Sequence, residues 1–83
     1  MDDTKLLSQP TNYVVVQLPG RKFPGVVFQG VSLNILVGEL ERVESENDPI
    51  EKAEGLSFIL EGLIEVRSHY ENVLKKEGLN PPY

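Results

Sequence analysis

No cysteine occurs anywhere in the 83 residues, and His69 is the only histidine. The first absence rules out disulfide staples and thiolate metal sites, and the second rules out a histidine-built metal centre. It also fits a reducing compartment. Long apolar runs are missing as well: nothing approaches the roughly 18–20 residues a membrane-spanning helix requires. The opening Met1-Asp2-Asp3-Thr4-Lys5 is acidic where a secretory leader would be basic and then apolar. These features lead us to expect a cytoplasmic protein with no membrane partner. A basic stripe is lacking too. Before residue 31 three bases face two acids, and from there on eleven acids face only five bases, for a net charge of -5. Nucleic-acid binding depends on displacing counterions with clustered Lys and Arg, so that class of partner is not expected.

Eighty-three residues suffice for one domain, residues 1–83. A chain of this length buries only about 60% of its unfolded surface, which leaves a marginal core. Small scaffolds compensate with disulfides, metals or partner chains. With the first two removed, association remains, and a homodimer is the expected source of additional burial.

The composition changes character along the chain. Tyr13-Val14-Val15-Val16 is aromatic and β-branched, which predicts a strand over 12–18 ended by Pro19-Gly20. A second strand is expected over 24–29, with pairing starting at Val26 because Pro24-Gly25 interrupts it. The short intervening segment fits an antiparallel hairpin, and Thr4 to Ser8 could add a third strand. Ser32 reads as an N-cap, and Leu33, Leu36, Val37, Leu40 and Val43 follow helical spacing, predicting a helix over about 32–45. Asp48-Pro49-Ile50-Glu51 has the form of a capping box with Pro at the first helical position. The second helix is therefore expected over about 48–77, closed by Gly78 and Pro81-Pro82 and kinked at Gly55 or Gly62 if at all. The fold class is α+β: a small antiparallel sheet of two or three strands packed against two helices.

This sequence holds more apolar surface than those layers need. Alternation puts Val14, Val16 and Leu18 with Val26 and Phe28 on one sheet face, leaving Tyr13, Val15 and Val27 on the other, so both faces are apolar. Ile35 and Phe58 lie off the main stripes of their helices. Part of an a/d pattern runs through Ala53, Leu56, Leu60 and Leu63 until Arg67 breaks it. Gly55 and Gly62, seven residues apart, lie along one flank, where a close helix crossing would offset the roughly 1 kcal/mol that each interior glycine costs.

Residues fit for chemistry are sparse. Glu61, Glu65 and His69 share one helix face, but on the side away from the apolar stripe, as a solvated ladder would. The serines lie at caps, termini or helix surfaces, and no nucleophile elbow is present. Neither a catalytic residue nor a metal or cofactor is expected, and the protein is read as a non-enzyme. Gly30 and Ser32 open a helix, and helix starts attract anions, which makes them the candidate anion-binding residues.

Two surfaces suit a protein partner. Arg21, Lys22 and Phe23 form a basic, aromatic loop tip between two Pro-Gly pairs. Seven acids between Glu39 and Glu54, among them Glu44, Glu46 and Asp48, could steer a basic protein. With Ile35 and Phe58 these complete the expected partner-binding residues.

The stretch from Asn12 through Pro19-Gly20-Arg21-Lys22-Phe23-Pro24-Gly25 to Leu33 resembles the signature of a family of short uncharacterised bacterial proteins. That resemblance implies a bacterial origin, with Val31 where an Asp is expected. Pro24-Gly25, Gln29-Gly30 and Ser32 are also similar in order to the strand-to-helix junction of HicB-type antitoxins, from which the long second helix departs. The second similarity implies a small neutralising partner. The functional expectation is a non-catalytic protein-binding module, antitoxin- or immunity-like, acting as a homodimer. The alternative is a small-ligand or anion-sensing regulatory domain.

Overall fold

A computed structural model describes residues 4–7 and 13–83. Five elements follow one another: β1 (Lys5–Leu6), β2 (Tyr13–Gln17), β3 (Gly25–Phe28), α1 (Gly30–Glu44) and α2 (Pro49–Lys76). The strands form an antiparallel sheet in the order β1-β2-β3, so the fold is α+β. The expected strand ends at Ser8 and Asn12 lie outside the described residues.

The β2–β3 connection is a tight turn. Leu18 accepts a hydrogen bond from Arg21 N at 3.3 Å, with Pro19 and then Gly20 (φ 74°) between them. Pro pre-sets the first central position and Gly supplies the positive φ of a type II turn. The Gln17 amide reaches around it to the carbonyls of Leu18 (3.2 Å) and Arg21 (2.8 Å).

This turn sets a register that overturns the expected facing of the strands. Val15 lies opposite Val26, and Val14 opposite Val27. Paired positions sum to an odd number, so odd residues of β2 share a face with even residues of β3. Val15 is thus fully buried in the core with Val26, not on an outer face, whereas Val27 is 46% exposed. Pairing also begins one residue early, at Gly25 opposite Val16.

Against the Val15 face lies the C-terminal part of α2. Tyr70, Val73 and Leu74 pack on Val15, with Leu7 and Val26 at the margin. The Tyr70 hydroxyl donates to the Pro24 carbonyl at 2.8 Å, which ties α2 to the β2–β3 loop. Burial pushes the Tyr70 phenol above its usual pKa.

The structure starts α1 at Gly30, with Gln29 as N-cap and no side-chain cap bond. Leu33 N already bonds to Gln29 O at 3.0 Å. Ser32 therefore sits in the first turn instead of capping it: the helix starts directly where β3 ends, and the tight junction outweighs serine's capping preference. At α2 the expected cap is present, since the Asp48 carboxylate accepts from Ile50 N (2.9 Å) and Glu51 N (3.4 Å). The reciprocal arm differs. Glu46, not Glu51, accepts from Asp48 N, at 3.1 Å. α2 continues as one helix for 28 residues, about 42 Å, through both Gly55 and Gly62. It closes in a Schellman motif: Leu79 N bonds to Leu74 O and Gly78 N to Lys75 O, with Gly78 at φ 72°.

α1 and the first half of α2 form an antiparallel hairpin that projects beyond the sheet. Val43 and Ile59 are buried within it. A Cβ on Gly55 would lie 2.7 Å from Val43 Cγ2, so the helices do cross closely there; at Gly62 nothing lies within 4 Å. The molecule measures 51 × 23 × 20 Å, with a radius of gyration of 15.6 Å. A compact chain of this length would have about 12 Å.

Candidate functional site

Where the hairpin leaves the sheet, a cleft of about 360 Å³ opens. Three elements build it. The first part of α1 contributes Ser32, Leu36 and Glu39, the middle of α2 contributes Phe58, Ile59, Gly62, Leu63 and Val66, and the strand ends contribute Tyr13 and Phe28. Helical spacing explains the grouping, since Phe58, Gly62 and Glu65 lie on one side of α2. Gly62 has no side chain to close the gap between the helices. The interior is apolar, and Glu39, Glu61 and Glu65 supply negative charge to the lining. Phe58 is 68% exposed, an aromatic ring only partly covered by its own chain.

The expected Glu61–Glu65–His69 ladder is not all solvated. His69 is half-buried, its ring edge-on to Tyr13 with centroids 5.5 Å apart, and its Nε2 is buried without a hydrogen-bond partner. Tyr13 also stacks at a tilt on Phe28, with centroids 6.4 Å apart. The sequence hid this contact because it depends on where β2 docks. Among the described residues no group of three His, Asp or Glu side chains is placed to hold a metal ion.

The remaining candidates are dispersed. Arg21, Lys22 and Phe23 are exposed on the β2–β3 loop, with the Lys22 ammonium 5.4 Å from the Phe23 ring centroid. That loop is held in shape by Gln17 and by the Tyr70–Pro24 hydrogen bond. Gly30 and Ser32 stand at the opposite end of β3, roughly 14 Å or more away along the strand, so Arg21 does not converge with the α1 start. Glu44, Glu46 and Asp48 lie at the hairpin tip. Glu46 and Asp48 are engaged in capping α2, and the Glu44 carbonyl accepts from Lys52 Nζ at 3.3 Å. Ile35 is 55% exposed, on the Phe58 side of the hairpin.

A second hollow, not legible in the sequence, adjoins the cleft through Phe28, Leu63 and Val66. The Tyr83 hydroxyl bonds to Glu71 Oε2 at 2.9 Å and holds the C-terminal tail against α2. Tyr83, Arg67 and Leu63 border this hollow of about 380 Å³ next to β3. Among the described residues no helix is long and apolar enough to cross a membrane.

Together these features define a small α+β protein, a three-stranded sheet carrying a projecting helical hairpin, with apolar side chains left uncovered on the hairpin. The chain belongs to DUF6959, a family of unknown function, whose model matches residues 1–83. No curated protein and no solved structure matches it.

Proposed function

We propose that this chain is a non-catalytic protein-binding module that works as a pair of identical chains and receives a basic protein partner in the cleft between α1, α2 and the strand ends. The carrying observation is the cleft's make-up: an apolar interior next to the uncovered Phe58 ring, with Glu39, Glu61 and Glu65 around it. Such a pocket suits an apolar anchor side chain flanked by Lys or Arg, because the anchor supplies burial while the acids select and steer the flanking charge. The well-fixed Arg21-Lys22-Phe23 loop offers a second contact. An antitoxin- or immunity-like role in a bacterial cell is the form of this reading that fits a small acidic module best.

An anion sensor at Gly30 and Ser32 is the second reading. It rests on the α1 start having no side-chain cap, and with Arg21 at the far end of β3 it has the weaker support.

Affinity capture from a host lysate, run in parallel with wild type, Phe58→Glu and the Glu61→Lys/Glu65→Lys double variant, tests the first reading. We expect a basic protein that the wild type retains at low salt, that both variants lose, and that rebinds when purified. Identical capture profiles for all three proteins would overturn the cleft as the docking site.

A further inference from the structure

A second apolar surface lies on the other side of the hairpin. Leu33, Val37 and Leu40 on α1 are spaced i, i+4, i+7, as are Leu56, Leu60 and Leu63 on α2. All six are between 39% and 58% exposed. At 100° per residue the α1 trio is turned about 90° from the line along which α1 meets α2, and the α2 trio about 70° in the same sense. The helices run antiparallel, so both turns lead to one side of the hairpin. Phe58, about 160° around α2 from Leu60, faces the opposite way. The six residues thus lie on one face, which reaches the hollow beside Arg67 and Tyr83 and meets the margin of the cleft at Leu63.

The area left uncovered suits a second copy of the chain. A compact monomer of 9.3 kDa exposes about 5,000 Å², whereas this chain exposes 6473 Å². The excess, about 1,500 Å² over the whole elongated chain, is an upper bound on what each copy could bury, and two such contributions reach the range of obligate homodimers. Paired 4-3 spacing on two antiparallel helices is also the pattern that interlocks with a copy of itself in a four-helix bundle.

We infer that two copies pack hairpin against hairpin through this face, forming an antiparallel four-helix bundle whose two-fold axis passes near Val37 and Leu60. Glu44 lies at the tip end of the face and Arg67 at its base. Antiparallel packing sets each tip toward the partner's base, whereas a parallel pair would set like charges together. The Phe58 and Glu65 side of each cleft faces away from this contact, so the assembly is bivalent. This inference rests on the dimeric part of the function proposed above and specifies its surface.

Light scattering and analytical ultracentrifugation on wild type, Val37→Glu, Leu60→Glu and Phe58→Glu test it. A dimeric wild type and Phe58→Glu are expected, with the dimer weakened about 100-fold or more in the other two, since each introduces an unpaired carboxylate at a desolvated, twice-repeated position. Because those variants could unfold once separated, cysteine cross-linking gives an independent measurement in a chain with no native cysteine. Under mild oxidation Val37→Cys is expected to form a covalent dimer, and Glu44→Cys and Phe58→Cys are not. A wild type that stays monomeric at about 100 µM overturns both this inference and the dimeric reading. A dimeric wild type whose Val37→Glu and Leu60→Glu variants remain dimeric overturns this face alone. Cross-linking through Glu44→Cys with none through Val37→Cys overturns the antiparallel arrangement.

Discussion

Gly55 and Val43 meet where α1 crosses α2, at a separation that leaves no space for a methyl group: a Cβ on Gly55 would lie 2.7 Å from Val43 Cγ2. Val43 is 2% exposed, and its β-branched side chain is stiff about χ1. Helix propensity favours alanine over glycine by about 1 kcal/mol, but overpacking a fixed contact costs about 1–3 kcal/mol. We therefore expect Gly55→Ala to destabilise by about 1 kcal/mol net. Gly62→Ala, with open space around it, should stabilise by about 0.5–1 kcal/mol. Urea unfolding of both variants at one fixed protein concentration checks the pair; equal stabilisation by the two would mean the crossing is not tight.

The Tyr70–Pro24 bond spans 46 residues of sequence and joins α2 to the β2–β3 loop. Tyr70→Phe leaves the Pro24 carbonyl without this donor and should cost about 1–2 kcal/mol. It should also change the response to alkali. Burial raises the folded-state phenol pKa above its unfolded value near 10. The resulting stabilisation is complete below about pH 10 and is lost as the pH rises through the folded-state value. Thermal melts between pH 8 and 11 should show a shallower alkaline decline for Tyr70→Phe than for wild type. Parallel curves would contradict the assignment.

At the hairpin tip, Asp48 satisfies two free amides of α2. Asp48→Ala should cost about 1 kcal/mol, and Asp48→Asn much less, because asparagine caps nearly as well. Glu46→Ala removes a bond to the Asp48 amide and should have a smaller effect, of about 0.5 kcal/mol, since the site is exposed. Chemical denaturation of the three proteins gives the order directly, and an Asp48→Asn as damaged as Asp48→Ala would point to charge instead of capping.

Gly78 ends α2 at φ 72°, a conformation that costs a residue with a Cβ about 1–2 kcal/mol. Gly78→Ala should lose about 1 kcal/mol. It should also loosen the segment ending at Tyr83, seen as faster amide exchange at Leu79, whose N–H bonds to Leu74 O. Unchanged exchange there would separate the cap from the docking of the tail.

Local chemistry in the sequence marked most element ends. Asp48-Pro49, Gly78 and Pro19-Gly20 act through their own backbone preferences, and the structure bears each of them out. The facing of the strands was not legible, because β2 and β3 are apolar at nearly every position, so alternation carried no contrast. Val15 was consequently placed on the wrong face. Ser32 misled for a related reason: its capping preference is weak beside a chain already turned into helix at Gly30. Of the two glycines singled out by their spacing, only Gly55 serves a close crossing. Gly62 opens the cleft instead, a difference that depends on which residues of α1 lie opposite. Ile35 and Phe58 lie off the main stripes as their spacing implies, and the surplus apolar pattern at Leu56, Leu60 and Leu63 is indeed uncovered, joined by Leu33, Val37 and Leu40 of α1. Periodicity identifies an apolar face without saying what covers it.

Because α2 is one continuous helix, the element that lines the cleft is also the one that docks on the sheet. Tyr70, Val73 and Leu74 anchor it to the sheet, and Phe58 and Ile59 lie three to four turns nearer the tip. A load applied at Phe58 is carried along the same shaft to the sheet. Whatever seats there acts on a lever, and its pull is felt at the β2–β3 loop through the Tyr70 hydroxyl.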